Sequence, residues 1–379
     1  MDQSNFCNPP MEPTLRPSIR ADHVGSLLRP PELLAARQAY AEGRLDLDAL
    51  RQVEDRVIGE ALRRQRDIGL DVVSDGEMRR ASWLTGMAEA VDGFTQDRVL
   101  LEWKGPEGRA EATTARVAGA KLRKTRMLTA EETPFLARHA GAPFKVTLPA
   151  PSNFMLSSYK TGVTDRVYGS RGALLQDVVE ILSDEVRWLI EQGARYVQFD
   201  APYYSHYVDE RQREHMKGLG LDPDHELDNA IAGDNAVIEG FPREGMTFAL
   251  HVCRGNNQSR WYTEGSYDAI AERLFGGLKV DRLLLEFDDE RSGGFEPLRH
   301  VRKGRTVVLG LITSKRPQLE STDALRRRID DAARVVPIEQ LAISPQCGFA
   351  SIVQGNRLTM DEQWRKLERV VEVARSVWQ

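Results

Sequence analysis

The six residues His251, Val252, Cys253, Arg254, Gly255 and Asn256 hold the most informative chemistry in the chain. In an extended strand, positions i and i+2 face the same way, so a strand ending here directs the His251 imidazole and the Cys253 sulfur to one side. A thiolate and an imidazole on one short arc suit zinc, which prefers sulfur and nitrogen donors. The pair alone carries little weight, because a buried cysteine also packs as a small hydrophobe and a buried histidine bonds to a carbonyl. Two more residues strengthen it. Cys347 stands in Ser344-Pro345-Gln346-Cys347-Gly348, and Glu286 ends the apolar run Leu283-Leu284-Leu285. A carboxylate after such a run is costly to bury unpaired, and a cation relieves that cost. His251, Cys253, Glu286 and Cys347 therefore make a donor set of one nitrogen, two sulfurs and one oxygen. Structural zinc sites use compact Cys-x-x-Cys knuckles, absent from this sequence, so widely spaced ligands favour a catalytic metal.

Other polar residues fall beside predicted strand ends: His23 and Ser26 around the first, Glu77 after the second, Asp200 after the fourth. Each has a plain structural reading: Asp200 as a cap, Glu77 paired with Arg79 or Arg80, His23 as a satisfied core histidine. Together they line one mouth. Acidic groups near a metal-activated thiol suit the ammonium of an amino-acid substrate, while a serine hydroxyl or a turn amide holds its carboxylate. Cys7, in a proline-rich arm, is given no role.

The elements that must position these residues are eight apolar runs: Ala21 to Gly25, Asp71 to Ser74, Phe144 to Leu148, Tyr196 to Phe199, Thr247 to Val252, Leu283 to Phe287, Thr306 to Leu311 and Leu341 to Ile343. Most are continuous, as in strands buried on both faces of a parallel sheet. Helical stripes alternate with them, at Asp48 to Ile68, Leu174 to Gln192 and Asp361 to Trp378. Eight strands alternating with helices predict a (β/α)8 TIM barrel over residues 20–379, with an open doubly wound sheet as the competitor. No glycine-rich nucleotide fingerprint follows the early strands. Insertions are expected after strands 2 and 4, at Gly93 to Pro143 and Ser205 to Arg243, and residues 1–19 are expected to form a disordered arm.

Composition excludes several classes. Fifty-two Lys and Arg against 57 Asp and Glu, a formal net charge of −5, give no basic field for nucleic acid. No apolar run reaches the roughly 18 residues of a membrane span, and no secretion signal opens the chain, so the expected compartment is cytoplasmic. Three cysteines in 379 residues cannot be a disulfide framework.

At these residues the sequence resembles the catalytic half of cobalamin-independent methionine synthase and its short single-barrel relatives. The resemblance runs from about Arg20 to Trp378 through RADHVGSLLRP, SDGEMRR, QFDAPYY, HVCRGNN, LLLEFDDERSGGFEPLR, VVLGLITSK and ISPQCGFAS, in that order. It implies a zinc-dependent methyltransferase of methionine biosynthesis that moves a methyl group from a methyltetrahydrofolate to the thiol of homocysteine. It puts Zn2+ on His251, Cys253, Glu286 and Cys347, and homocysteine on Ser26, Glu77 and Asp200; among the four donors Glu286 is expected to be the exchangeable one, because oxygen is the poorest match for a thiolate-rich zinc. Two departures stand out. The chain has no room for the N-terminal duplicate barrel of the full-length enzymes, and Thr313 occupies the place of the family's catalytic histidine. His23 and His206 are the substitute proton donors that the sequence offers. The rival readings are alkyl transfer to another thiol such as coenzyme M, a zinc-dependent hydrolase, and a binding or structural protein that merely retains zinc. The basic stretch Arg123, Lys124 and Arg126 is either a solvated charge run or a contact for a polyglutamate tail. The expected partners are small molecules, and a homo-oligomer is compatible with the sequence.

Overall fold

The computed structural model describes residues 19–99, 102–105 and 113–378. The arm expected over residues 1–19, with Cys7, lies outside the described residues apart from its last position.

The chain begins with α1 (Pro31–Ala41), α2 (Leu47–Ile68) and α3 (Thr85–Ala90), followed by β1 (Val91–Val99), β2 (Thr113–Lys124) and α4 (Thr133–His139). Next come β3 (Lys145–Pro149), α5 (Ser152–Ser157), α6 (Arg171–Glu191), β4 (Tyr196–Asp200), α7 (Glu210–Gly218) and α8 (Pro223–Ile238). The last third holds β5 (Thr247–Val252), α9 (Ala271–Gly277), β6 (Arg282–Glu286), β7 (Thr306–Ile312), α10 (Thr322–Ala333), β8 (Leu341–Pro345) and α11 (Met360–Trp378).

Local chemistry sets the helix ends. The Asp46 carboxylate accepts the Ala49 amide and starts α2, and Gly69 ends it in the left-handed region at φ 89°. Ser170 caps α6 in the same way through Ala173. Leu50, Val57, Ile58, Ala61 and Leu62 of α2, and Leu174, Val178, Leu182, Val186 and Leu189 of α6, form stripes that bury against the sheet. Each such leucine contributes roughly 1.5–3 kcal/mol.

Strands β3 to β8 lie side by side in chain order, all parallel. The first two predicted strands close the ring as single bridges instead of full strands, Ala21 to Ile343 on one side and Val73 to Phe144 on the other. The Asp71 amide donates to the Ala21 carbonyl at 3.1 Å and joins the two bridges. The ladders stop there because side chains take the remaining amides. Asp71 Oδ2 accepts those of Arg20 and Ala21, Asp22 that of His23, and Gln65 that of Ser74. The result is a (β/α)8-type barrel, and the open-sheet alternative falls on this closure.

Of the segments expected as excursions, Gly93 to Pro143 holds most of the antiparallel β1–β2 pair and α4, and Ser205 to Arg243 holds α7 and α8. No helix among the described residues is long and apolar enough to cross a membrane. The barrel lumen is filled by Val24, Val72, Tyr196, Ala249, Leu284, Val308 and Ala342. At one end it also buries an Asp22–Lys145 ion pair at 2.8 Å, which Tyr196 and Arg282 complete by bonding to Asp22 Oδ2.

Candidate metal and thiol site

At the carboxyl ends of the strands opens a cavity of about 330 Å3 whose wall includes Ser26, Glu77, Asp200, His251, Cys253 and Cys347. Six residues singled out in the sequence, from five separate strand ends, thus meet in one place, where barrels build their active sites.

The ligating atoms of His251, Cys253 and Cys347 all lie within 4.8 Å of one another, and all three residues are buried. The His251 ring is oriented by Nδ1, 3.2 Å from the Leu284 carbonyl, so its Nε2 is left buried without a hydrogen-bond partner. Two sulfurs beside an orphaned imidazole nitrogen form a donor set that fits zinc. The charge pattern agrees. The Cys253 thiol, and then His251, hold Cys347 well below the ordinary thiol range although burial opposes it, while the same Cys347 contact pushes Cys253 up. Burial works against charge on His251, yet the Cys347 sulfur outweighs it and raises the imidazole. Charge is thus favoured on the Cys347 sulfur over that of Cys253, and ligands of this kind release their protons when a cation binds.

Glu286 stands outside this cluster. Its Oε2 accepts the Arg254 amide at 2.7 Å and its Oε1 has no hydrogen-bond partner, with Arg291 Nη2 at 3.6 Å. Burial penalises its charge, but Lys315, Arg254 and Arg291 prevail and keep it below the usual carboxylate range.

The opposite wall is acidic. Glu77 has φ 53°, a left-handed conformation that costs a non-glycine residue energy and that its neighbours must impose. Arg29 binds its carbonyl at 2.8 Å and Asp75 its amide at 3.0 Å. Thr147 donates to Glu77 Oε1 at 3.0 Å, which leaves Oε2 buried and without a hydrogen bond. Arg80 is shared, bonding Glu132 at 2.8 and 2.5 Å while its Nη1 stands 4.0 Å from Glu77 Oε2. Asp200 accepts Gln198 Nε2 at 2.8 Å, and Lys145 fixes that amide by donating to Gln198 Oε1 at 2.8 Å. Burial first, opposed by His251 and aided by Glu77, pushes the Asp200 carboxyl up to about 7. Two carboxyl groups in one cavity call for a cation between them.

Neither His23 nor His206 belongs to the cavity wall, and burial keeps both neutral, lowering them to about 3 and about 4. His23 faces away because its neighbours Asp22 and Val24 take the lumen side, and His206 is stacked behind Tyr203 with ring centroids 4.8 Å apart. Thr313 is likewise absent from the wall. The basic stretch is ion-paired: Arg123 with Asp92 at 2.5 Å, Lys124 with Asp184, and Arg126 with Glu89 at 3.1 Å.

Sequence reasoning missed the outer half of the cavity. Trp83, Phe94, Trp103, Phe154, Tyr203 and Tyr262 make it aromatic, and Trp103 Nε1, Asn256 Oδ1 and Tyr262 Oη are buried polar atoms without partners. Asn256, next to the His-x-Cys pair, and Tyr203, in the QFDAPYY motif, lie in stretches the sequence had singled out.

A family profile described as "Cobalamin-independent synthase, Catalytic domain" matches residues 20–376. The chain belongs to the cobalamin-independent methionine synthase family. It is therefore a methionine-synthase-like methyltransferase, as the family's chemistry implies. Among its relatives, the uncharacterized protein YxjH of Bacillus subtilis is 38% identical over 378 residues, 99% of each chain. The methionine synthase of Pyrococcus abyssi is 22% identical, over 88% of this chain and 87% of that one. Among solved structures, a putative vitamin-B12-independent methionine synthase from Listeria monocytogenes superposes with TM-score 0.74 at 27% identity, covering 95% of this chain and 98% of that one. A B12-independent methionine synthase from Shewanella, in complex with selenomethionine, gives TM-score 0.71 at 20% identity, over 95% and 97%, and shares the fold.

Proposed function

We propose that this family member transfers a methyl group from a methyltetrahydrofolate to the sulfur of homocysteine, forming methionine, at a zinc held by His251, Cys253 and Cys347. One observation carries the reading: a single cavity joins the nitrogen–sulfur–sulfur cluster to the carboxyl groups of Glu77 and Asp200. Zinc, when bound, supplies the Lewis acidity that makes a thiol of ordinary pKa ~8.5 available as thiolate at neutral pH. Glu286 is the fourth, exchangeable donor. Its Oε1, buried and without a hydrogen bond, would be the atom offered to the metal, while Oε2 accepts the Arg254 amide.

The remaining steps belong to the protein. Glu77 Oε2 and Asp200 hold the substrate ammonium and so aim its sulfur across the cavity toward the cluster. Ser26 Oγ, on the same wall, receives the substrate carboxylate. The aromatic outer half takes the flat donor ring and keeps water away from the electrophilic methyl carbon.

The acidic pair favours an aminothiol over a sulfonated thiol such as coenzyme M, whose anionic end would meet two carboxyl groups. Two thiolates also quench the Lewis acidity that a zinc hydrolase needs. The test is metal analysis of purified, reduced protein together with transfer of a deuterated methyl group from methyltetrahydrofolate to homocysteine or to 2-mercaptoethanesulfonate. One zinc per chain and labelled methionine are expected. Metal-free protein indifferent to added zinc, or preference for the sulfonate, ends the reading.

A further inference from the structure

Glu77 holds the substrate ammonium in the reading above, on which this inference rests, yet its backbone sits at φ 53°, which its own Cβ disfavours. Gly76 before it is left-handed too, at φ 69°. Within the turn, Ser74 Oγ accepts the Gly76 amide at 3.1 Å and Asp75 accepts the Glu77 amide at 3.0 Å. The Glu77 carbonyl is held from outside, by Arg29. We propose that Arg29 is a positioning residue: its guanidinium fork anchors the strained turn to the loops on either side and so aims the Glu77 carboxylate at the substrate amine.

Arg29 is a buried cation, 5% exposed, and its four hydrogen bonds among the described residues all go to main-chain carbonyls. Nη2 donates to Glu77 at 2.8 Å and to Arg80 at 3.1 Å, bracketing the turn after the second strand position. Nη1 donates to Leu27 at 3.1 Å and to Ala350, three residues beyond Cys347. One planar group thus joins the three rim loops that carry Ser26, Glu77 and Cys347. A charge taken this far out of water demands fixed partners, so the carbonyls it binds are held in turn.

The same loops meet again around it. The Leu27 amide donates to the Gly76 carbonyl at 3.0 Å, and the Phe349 amide to the Ser26 carbonyl at 2.9 Å. With the turn fixed and Thr147 on Oε1, Glu77 Oε2 is the oxygen left without a hydrogen bond for the amine. A lysine at position 29 would keep the charge, but one ammonium on a flexible stem cannot hold four carbonyls on three loops.

The experiment uses the full zinc-loaded chain as wild type, Arg29→Lys, Glu77→Gln and the double variant. Calorimetry measures binding of homocysteine and of 4-mercaptobutyrate, its analogue without the amine. Arg29→Lys should bind homocysteine about tenfold more weakly and 4-mercaptobutyrate within about twofold of wild type, as for a misplaced charged hydrogen bond, and should keep its zinc. Because Arg29 acts through Glu77, adding Arg29→Lys to Glu77→Gln should weaken homocysteine no further. Losses that multiply in the double variant, equal losses of both ligands, or no loss at all overturn the proposal. Should the lysine variant not fold, Arg29→Gln takes the same test, and a chain that folds with neither also overturns it. Wild-type protein that binds the two ligands equally overturns the underlying reading instead.

Discussion

Ser26 fills the space that a side chain at position 348 would need: a Cβ on Gly348 would stand 2.0 Å from Ser26 Oγ. The Gly348 carbonyl also accepts Asn256 Nδ2 at 2.8 Å, so one glycine locks the Cys347 loop to the loops after the first and fifth strand positions. Gly348→Ala must push these loops apart. It should cost about 1–3 kcal/mol in urea unfolding and at least tenfold in zinc affinity by chelator competition. Unchanged affinity would separate the glycine from the metal site.

Glu77 should govern the amino group of the substrate. Glu77→Gln keeps an oxygen for the Thr147 hydroxyl but removes the charge. Homocysteine binding should weaken about 10- to 100-fold, as expected for a charged hydrogen bond. Binding of 4-mercaptobutyrate, which lacks the amine, should change little. Equal weakening of both ligands in calorimetry would refute an ammonium contact.

Asp75 gives the fold a pH dependence away from the metal ligands. Its Oδ1 accepts the Glu77 amide, its Oδ2 has no partner, and burial first and Glu132 next push it up to about 7. The folded state therefore holds a proton that the unfolded chain releases near pH 4. The stability this proton confers is complete below that pH and is lost as pH rises toward 7, by up to about 4 kcal/mol. Asp75→Asn cannot lose it, so its stability relative to wild type should climb between pH 4 and 7 and then level off. Urea unfolding across that range measures it, and a flat difference rules it out.

Because Arg123, Lys124 and Arg126 are each matched to an acidic side chain, they do not form a free polyanion site. Replacing all three by glutamine should leave KM for a polyglutamylated donor within about twofold, and each change should cost under about 1 kcal/mol. A large rise in KM would restore the tail-binding role.

The strands and the metal donors were legible because they are local patterns. An unbroken Leu283–Leu285 run must be buried on both faces, and His251 with Cys253 two residues on must share a side of any strand. Glu77 and Asp200 were legible as polar residues after apolar runs, which places them at the same rim of a barrel. The Asp22–Lys145 pair joins residues 123 positions apart and leaves no local trace.

The sequence by itself determined the barrel class, the family and the residues that face one mouth, since strand alternation and motif order do not depend on what packs against what. Only the tertiary structure decided that the first two strands shrink to bridges, that Glu286 rests on the Arg254 amide outside the cluster, and that His23 and His206 are walled off from the cavity. It also brought Trp103 of the segment between β1 and β2 against Tyr262 of the loop after β5. These are contacts between residues distant in the chain, set by how burial and competing hydrogen-bond partners are shared among elements, and no spacing along the polypeptide encodes them.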